Sequence, residues 1–354
     1  MKICYFGIYT KEYPRNAILM KGLAINGVDV VECNVNWRDK NRYFKLFKQL
    51  RALKNEYDFI YVAYPATIPV IFAKLFQKKI VVMDAFYSMF DAVVNDRKEV
   101  SFLSFRSIKL LFLDWVSIML AGCVITDTEA HKKYWQKWFF VRQNKFFTLY
   151  LGADNTVFFP IKDVSFDPQF RVHFHGSYIP LQGIEHIVEA ARILKDDTSV
   201  FFSLVGKGQN YKEITERIQS YDLKNIEQVG KTFPGPLQCQ LNEYVNKADV
   251  ALGIFGDSDK AKRVIPNKVY ESLAAGKPLI TMDSPAIREI FSERELLLVK
   301  NDGESIASAI KKLQNSPEFC REIASRGYAK MIEKYSPKPI GARFLEIAKE
   351  FKER

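Results

Sequence analysis

Hydrophobic and polar positions alternate between two kinds of segment along the chain. Short runs rich in β-branched and aromatic residues are followed by longer segments in which apolar residues recur every three or four positions. In the first half the strand-like runs are KICYFG, VDVVECNV, DFIYVAYP, KKIVVMDAF and GCVITDT, and helices are predicted through residues 17–25, 43–54 and 101–120 and again after GCVITDT. This alternation predicts a parallel sheet covered by helices, the doubly wound α/β class.

The same pattern starts again near residue 168. Its strand-like runs are RVHFHGS, SVFFSLVGKG, NIEQVG, ADVALGIF and KPLITM, separated by helical segments at 184–194, from Tyr211 and in NKVYESLAAG. We therefore predict two Rossmann-like domains, residues 1–155 and 165–335, that face a central cleft. The boundary is placed in the turn-rich connection at 152–168. A C-terminal helix over about 338–354 is expected to pack back on the first domain.

Length and composition exclude several classes of protein. A chain of 354 residues with 48% hydrophobic content can fill two cores. The five cysteines form no C-x-x-C pair, which argues against a disulfide framework and a zinc site. The N-terminus lacks the pattern of a signal peptide, and the most apolar stretch, 110–122, is shorter than the roughly 20 residues that cross a bilayer. We predict a cytoplasmic protein that does not span a membrane.

Positive charge is concentrated in the first half. The formal net charge is +11, and residues 1–160 hold 23 Lys/Arg against 14 Asp/Glu, as well as all four tryptophans. This favours an anionic membrane surface at the inner face of the plasma membrane, or an anionic acceptor, as a partner of the first domain. The helix YFKLFKQLRALK is typical of an interfacial helix, but also of a helix that faces its own sheet. No nucleic-acid-binding motif is found, so no nucleic-acid partner is expected.

Two predicted strand ends in the second half carry residues suited to a ligand. In parallel sheets, ligands bind at the carboxyl ends of the strands, where helix N-termini present unpaired N–H groups. HFHGSYIPLQG places His175, Gly176 and Ser177 after one strand, and LVGKGQN places Gly206 and Lys207 after the next. The glycines let the backbone approach a ligand, and the lysine adds positive charge. Tight turns and a core histidine are the alternative interpretations.

A third strand end leads into IPNKVYESLAAGKP. Pro266 suits a first helical turn and Asn267 can cap the helix. Lys268, followed by Val269, opposes the helix dipole unless an anion lies there. Glu271 shares the helix face of Lys268 and could accept hydrogen bonds from a ribose diol. The segment predicts a nucleotide site with diphosphate at Lys268 and ribose at Glu271, and an ordinary solvated ion pair is the alternative.

These segments, together with LGADNTVFFP between the halves, resemble the retaining glycosyltransferases of family four, which have the GT-B fold. The resemblance covers most of residues 150–300. It implies a nucleotide-diphosphate-sugar donor bound mainly to the second domain, a glycan or lipid-linked acceptor bound to the first, retained anomeric configuration, and no metal or other cofactor. The implied role is cell-surface polysaccharide or glycoconjugate synthesis. A nucleotide-sugar epimerase and a non-catalytic sugar-nucleotide-binding protein are the alternatives.

The resemblance assigns residues in the second half, with some departures. The family's ribose-binding glutamate matches Glu271, but its partner in the E-x7-E pattern, which contacts the donor sugar, is replaced by the catalytic candidate Arg263. The family's usual arginine and lysine in the first motif match Ser177 and Gln182. We expect three nearby cations to neutralise the diphosphate instead: Lys207, Arg263 and Lys268.

The first half resembles the family less closely. The loop GIYTKEYPRN starts at Gly7, and in the family this loop approaches the donor phosphates and the acceptor. Lys11 and Arg15 are therefore placed on the acceptor side. The histidine that often follows the fourth strand is absent from MDAFYSMFD. Three polar residues are candidates there, with helix capping by Asp84 or Ser88 as the alternative: Asp84 and Asp91 as catalytic groups, and Ser88 on the acceptor side.

Overall fold

A computed structural model describes residues 1–54, 56–139, 141, 143–162, 168–234 and 237–353. The chain forms two compact units, Met1–Leu151 with Pro337–Arg354, and Gly152–Ser336. The first unit is therefore discontinuous in sequence. The predicted domain start at residue 165 and the predicted helix end at residue 354 lie outside the described residues.

The first unit is built on a six-stranded parallel sheet with the order β2-β1-β3-β4-β5-β6. Its strands are β1 (Lys2–Gly7), β2 (Asp29–Asn34), β3 (Phe59–Val62), β4 (Val81–Asp84), β5 (Cys123–Thr126) and β6 (Phe146–Thr148). Its helices are α1 (Pro14–Ile25), α2 (Arg42–Ala52), α3 (Thr67–Phe76), α4 (Phe105–Leu120), α5 (Glu129–Phe139) and, at the end of the chain, α12 (Pro337–Lys352).

Helices cover both faces of this sheet. Parallel crossovers are right-handed, so this strand order places α1 on one face and α2 to α5 on the other. On the second face, Leu46, Val70 and Trp135 join one buried cluster with strand residues. On the α1 face, the ring of Phe344 on α12 lies 5.4 Å from that of Tyr61. A Cβ on Gly22 of α1 would lie 2.9 Å from the amide nitrogen of Gly341, so these glycines bring α1 and α12 into close contact.

The second unit repeats the plan, with the strand order β12-β11-β10-β7-β8-β9, again all parallel. Its strands are β7 (Phe170–His175), β8 (Val200–Val205), β9 (Ile226–Val229), β10 (Val250–Leu252), β11 (Leu279–Met282) and β12 (Leu297–Val299). Its helices are α6 (Ile184–Ile193), α7 (Tyr211–Ser220), α8 (Gln238–Asn246), α9 (Asn267–Ala274), α10 (Gly303–Asn315) and α11 (Pro317–Tyr335).

The predicted doubly wound α/β class is confirmed by these two sheets and their helices. The structure adds elements that the sequence patterns did not predict, namely α3, β6, α8, β12, α10 and α11. The helix predicted from residue 101 begins at Phe105, because the Ser104 side chain caps it by accepting a hydrogen bond from the Ser107 amide at 3.1 Å. In the described part of the chain, no helix is both long and apolar enough to cross a bilayer.

Candidate functional site

Glycines at the ends of β7 and β8 make room for close contacts within the protein itself. Gly176 and Gly206 have φ values of 150° and 145°, which L side chains rarely adopt. A Cβ on Gly206 would lie 1.9 Å from the carbonyl oxygen of Gly176, and one on Gly176 would lie 2.8 Å from Nζ of Lys268. The two loops therefore pack against each other and against the start of α9.

The start of α9 differs from the predicted cap. Asn267 is the first helical residue and Pro266 occupies the N-cap position, where no side chain accepts a hydrogen bond from the helix. The predicted capping role of Asn267 is therefore wrong. Its Oδ1 atom is buried and accepts no hydrogen bond from any described residue. The helix thus begins with amides that no side chain caps, beside a buried Oδ1 atom of Asn267 that accepts no hydrogen bond from a described residue.

Lys268, in the first turn of α9, is a buried cation. Its side chain is 3% exposed, and Nζ donates a hydrogen bond to Oε1 of Gln182 at 2.5 Å. Nζ also lies 3.5 Å from the ring centre of Phe174, a cation–π contact. No carboxylate of the described residues reaches ion-pair distance. Burial lowers the pKa of Lys268 well below its usual value, although Glu271 opposes the shift. A buried ammonium without a counter-charge is costly unless an anion binds there.

Glu271 ends a chain of buried hydrogen bonds. Its Oε2 atom lies 3.0 Å from Nε2 of His175, and Nδ1 of His175 lies 3.1 Å from Nε2 of His173. Because Glu271 is 6% exposed, the solvated-pair interpretation of Lys268 and Glu271 is wrong. Burial raises the pKa of Glu271 to about 7, and Lys268 partly offsets this shift.

The two histidines in this series of hydrogen bonds, His173 and His175, are neutral. Burial and then Lys268 lower the pKa of His175 to about 3, and burial together with His175 holds the pKa of His173 well below its usual value. With Glu271 ionised, His175 donates from Nε2 and accepts a hydrogen bond at Nδ1 from His173. His173 was not predicted. The signal was available in the HFH run, since residues two apart on a strand share a face.

The other residues predicted in the second unit lie around this centre. Ser177 and Lys207 are exposed, and the carbonyl oxygen of Lys207 accepts a hydrogen bond from the Tyr178 amide at 3.0 Å. Arg263 is partly buried at the end of a short 3-10 turn, Ala261–Arg263, that precedes α9. Val269 is buried in α9. The structure thus brings Lys268, Glu271, His175 and Gly176 together.

Two residues predicted in the first unit are bound to each other. β1 ends at Gly7, with a φ of 150°, and the loop after it leads to Arg15 in α1. Nε of Arg15 lies 3.0 Å from Oδ2 of Asp84, and NH2 donates to Oδ1 at 3.1 Å. Tyr61 donates to Asp84 at 2.7 Å, and NH1 of Arg15 donates to the Leu149 carbonyl at 2.7 Å. Arg15 is 3% and Asp84 1% exposed, so both are structural partners in this state.

Ser88 and Asp91 form a helix start. Oγ of Ser88 accepts a hydrogen bond from the Asp91 amide at 3.0 Å and donates to Asp114 at 2.8 Å. These contacts fit the capping interpretation of Ser88 and hold Asp91 buried at the start of a short π-helix. Burial raises the pKa of Asp114 to about 6, against the lowering effect of its hydrogen bonds. Lys11 lies on the surface, 2.8 Å from Glu32.

One cluster has the composition of a metal site. The ligand atoms of Glu185, His186 and Asp257 lie within 4.8 Å of one another, and Nε2 of His186 is 3.3 Å from Oδ2 of Asp257. The cluster is open to solvent, as acidic surface groups commonly are without an ion. It gives no reason to assign a metal, and the predicted independence from metal stays a prediction.

Comparison with known families identifies the class to which this site belongs. The family model described as "Glycosyl transferases group 1" matches residues 160–330, a span that contains Lys268, Glu271, His173 and His175. The predicted resemblance is thereby confirmed over residues 160–330, which match this family model. The narrower assignment to family four is compatible with this match. No curated protein sequence matches the chain.

Solved structures extend the fold to the whole chain. Sucrose-phosphate synthase from Thermosynechococcus elongatus is 14% identical, with 99% of this chain and 98% of that chain covered and a TM-score of 0.76. HepE from Anabaena, in complex with UDP and glucose, is 14% identical over 99% of both chains, with a TM-score of 0.74. TarM from S. aureus is 17% identical over 83% of this chain and 54% of that chain, with a TM-score of 0.61. At these identities the likeness establishes the fold, and the predicted GT-B architecture is confirmed.

Proposed function

We propose that the protein is a glycosyltransferase that binds a nucleotide-diphosphate sugar, with the diphosphate at Lys268 and the ribose at Glu271. The observation that carries this proposal is the buried Lys268 ammonium, which has a neutral amide and an aromatic ring as partners and no carboxylate at ion-pair distance among the described residues. Structures of HepE with UDP and with UDP-glucose support a donor of this chemical class.

Lys268 supplies a charge that the family normally carries on another segment. The position of the family's phosphate-binding lysine is occupied here by Gln182, and the amide oxygen of Gln182 accepts the hydrogen bond from Lys268. The ammonium from α9 therefore lies beside the position where the family has its own lysine. A leaving diphosphate gains negative charge in the transition state, and a preorganised cation there contributes about 3–4 kcal/mol.

Glu271 is the proposed ribose-binding group. An ionised carboxylate has enough lone pairs to accept both ribose hydroxyls in addition to the N–H of His175. His175 fixes the orientation of Oε2, and His173 fixes the tautomer of His175 by donating to Nδ1. Binding of the diol would favour the ionised form and so lower the pKa of Glu271 in the complex.

The proposed reaction retains the anomeric configuration and needs no protein nucleophile. The bond from the anomeric carbon to the leaving phosphate oxygen breaks, the bond to the acceptor oxygen forms on the same face, and the acceptor proton passes to the departing phosphate. Catalysis then depends on positioning and electrostatics. Arg15 and Asp84 satisfy each other, so we assign them to the folding of the first unit.

The acceptor in this proposal is a glycan or a lipid-linked glycan in cell-surface polysaccharide or glycoconjugate synthesis. We place it on the first unit, with Lys11 and the exposed cations of that unit as candidate contacts. The proposed location is the cytoplasm and the inner face of the plasma membrane, where a lipid-linked acceptor would be presented.

Nucleotide binding is tested by a thermal-shift screen of UDP, GDP, ADP and their sugar conjugates. A ligand at 100 times its Kd stabilises the folded state by about 2.7 kcal/mol, and we expect such a shift for one base. Absence of a shift with every nucleotide would contradict the proposal. With the selected sugar nucleotide, product analysis separates the activities: a transferase releases the nucleoside diphosphate, whereas an epimerase leaves an isomeric sugar nucleotide.

A further inference from the structure

A stripe of large apolar side chains on α4 faces solvent. The buried side of this helix carries Leu110, Asp114 and Ile118. The opposite side has apolar residues spaced by three or four positions, which places them on one face. These residues are between 42% and 84% exposed: Phe105, Ile108, Phe112, Trp115 and Met119.

The apolar surface continues on both sides of this stripe. Phe102 and Leu103, in the turn before α4, are 56% and 86% exposed. On α3, which packs beside α4, Ile68 and Leu75 also face solvent. The exposed residues are larger and more numerous than the scattered apolar side chains normal for a monomer surface. They form one face of the helical layer that covers the first sheet.

Positive charge accompanies these apolar residues. Residues 42–54, 67–79 and 101–120 contain ten Lys/Arg and a single acidic residue, Asp114. Asp114 is buried and hydrogen-bonded to Ser88 and to the Phe90 amide, so it adds no negative charge to the surface. The outer side of α2, α3 and α4 therefore combines exposed aromatic rings with cations alone.

A basic cavity lies between the ends of α2 and α3. Its volume is about 530 Å³, and it is lined by two aromatic rings and four cations: Phe47, Phe76, Arg51, Lys54, Lys78 and Lys79. Cations that line a pocket together with aromatic rings suit a phosphate group attached to an apolar body.

We propose that α2, α3, α4 and the turn before α4 form a docking surface for an anionic lipid bilayer. Leu103, Phe105 and the stripe on α4 insert among the lipid headgroups, while the cations of α2 and α3 contact lipid phosphates. Large apolar side chains flanked by lysine and arginine are characteristic of helices that lie in the membrane interface. Charge complementarity selects an anionic bilayer because the described helices of this surface present cations and no exposed carboxylate.

In the structure, α4 and not α2 carries most of the exposed apolar residues of the proposed membrane-binding surface. The sequence pattern points to α2, but Leu46 and Leu50 of α2 are buried against the first sheet, and its aromatic Phe47 contacts Phe76 with ring centres 4.8 Å apart. The sheet-facing interpretation thus accounts for most of the apolar side of α2. The exposed apolar stripe belongs to α4, whose sequence shows few charges and no basic periodicity.

The surface is tested by flotation of the full-length protein with vesicles of phosphatidylcholine alone or with phosphatidylglycerol. We expect binding to the anionic vesicles, and at least about tenfold weaker binding by the Leu103→Ser/Phe105→Ser variant, because each large apolar side chain withdrawn from water contributes strongly to partitioning. Lys78→Gln should weaken binding by about fivefold at low salt. Ile25→Ser is the matched control, since Ile25 is a 51% exposed side chain at the end of α1, on the opposite side of the sheet.

Trp115 supplies a second measurement. Brominated lipids should quench its fluorescence in the bound protein, and Trp115→Phe should remove most of that quenching, whereas Trp135 is buried and should contribute little. Failure to bind anionic vesicles, or equal binding by wild type and Leu103→Ser/Phe105→Ser, would overturn the proposal. Self-association lost in that variant, without vesicle binding, would also overturn it and identify a protein interface. The UDP thermal shift of the variant should match wild type, which separates this result from the proposed donor site.

Discussion

Replacement of Lys268 by methionine should stabilise the free protein and weaken nucleotide binding at the same time. Methionine preserves the length and apolar stem of the side chain but removes the charge. In the free protein the Lys268 ammonium is buried, with its pKa well below the usual value, and receives one neutral acceptor, Oε1 of Gln182. The variant does not have to bury this charge, so its free energy of unfolding should rise. It also lacks the cation that would bind the diphosphate, so its affinity for the nucleotide should fall.

The expected size of both effects follows from the burial of Lys268. Replacing buried charges by apolar groups of similar volume is neutral or stabilises proteins by up to about 4 kcal/mol. For a unit of this length a gain of about 2 kcal/mol corresponds to a Tm rise of about 4–8 °C. Loss of one member of a buried charge pair with the diphosphate costs about 2 kcal/mol or more, so UDP affinity should fall at least about 30-fold.

Differential scanning fluorimetry of the free protein and calorimetric titration with UDP measure the two effects. Lys277→Met is the matched control, because Lys277 follows α9, is partly buried and donates to the Asn246 carbonyl at 2.7 Å. It removes the same charge at a position outside the proposed diphosphate site and should leave UDP affinity unchanged. If Lys268→Met melts at a lower temperature and binds UDP within about twofold of wild type, Lys268 is a structural residue and the diphosphate assignment is wrong.

Two further predictions concern the same unit. Because burial raises the pKa of Glu271 to about 7, UDP affinity should fall as the pH drops below 7. Glu271→Gln should remove that dependence in titrations that run from about 1.5 pH units below this pKa to about 1.5 units above it. Gly206→Ala should lower the Tm by several degrees, since its Cβ would lie 1.9 Å from a backbone carbonyl oxygen. Gly27→Ala, with nothing within 4 Å of the added Cβ, should cost only about 1–2 kcal/mol; equal melting of the two variants would refute the packing argument.

The strands were predictable because each central strand of a parallel sheet is a nearly continuous apolar run. KICYFG and SVFFSLV are such runs and correspond to β1 and β8. The helix α3 was not predicted, because TIPVIFAKLF is rich in β-branched and aromatic residues and contains a proline in its first turn. Its helical state depends on packing between the first sheet and α4, which no local pattern records.

The candidate site was predictable in its location and less so in its contacts. Lys268 and Glu271 were predicted as site residues because residues three positions apart on a helix lie on the same face. Their burial, and the hydrogen bond from Lys268 to Gln182, depend on segments more than eighty residues apart in sequence. The pairing of Arg15 with Asp84 joins α1 to the end of β4 in the same way. Local patterns identify which groups can react, but tertiary packing decides which of them already have partners.

The position of α12 has a consequence for how the chain acquires its structure during synthesis. The first unit needs Pro337–Lys352 to cover the Tyr61 side of its sheet, whereas the second unit is a continuous segment that ends at Ser336. On the ribosome the second unit can therefore complete its folding before the first. Until α12 emerges, the aromatic side chains of Phe59 and Tyr61 lack the contacts with Phe344 that cover them, and the nascent first unit exposes apolar surface of the kind that chaperones bind.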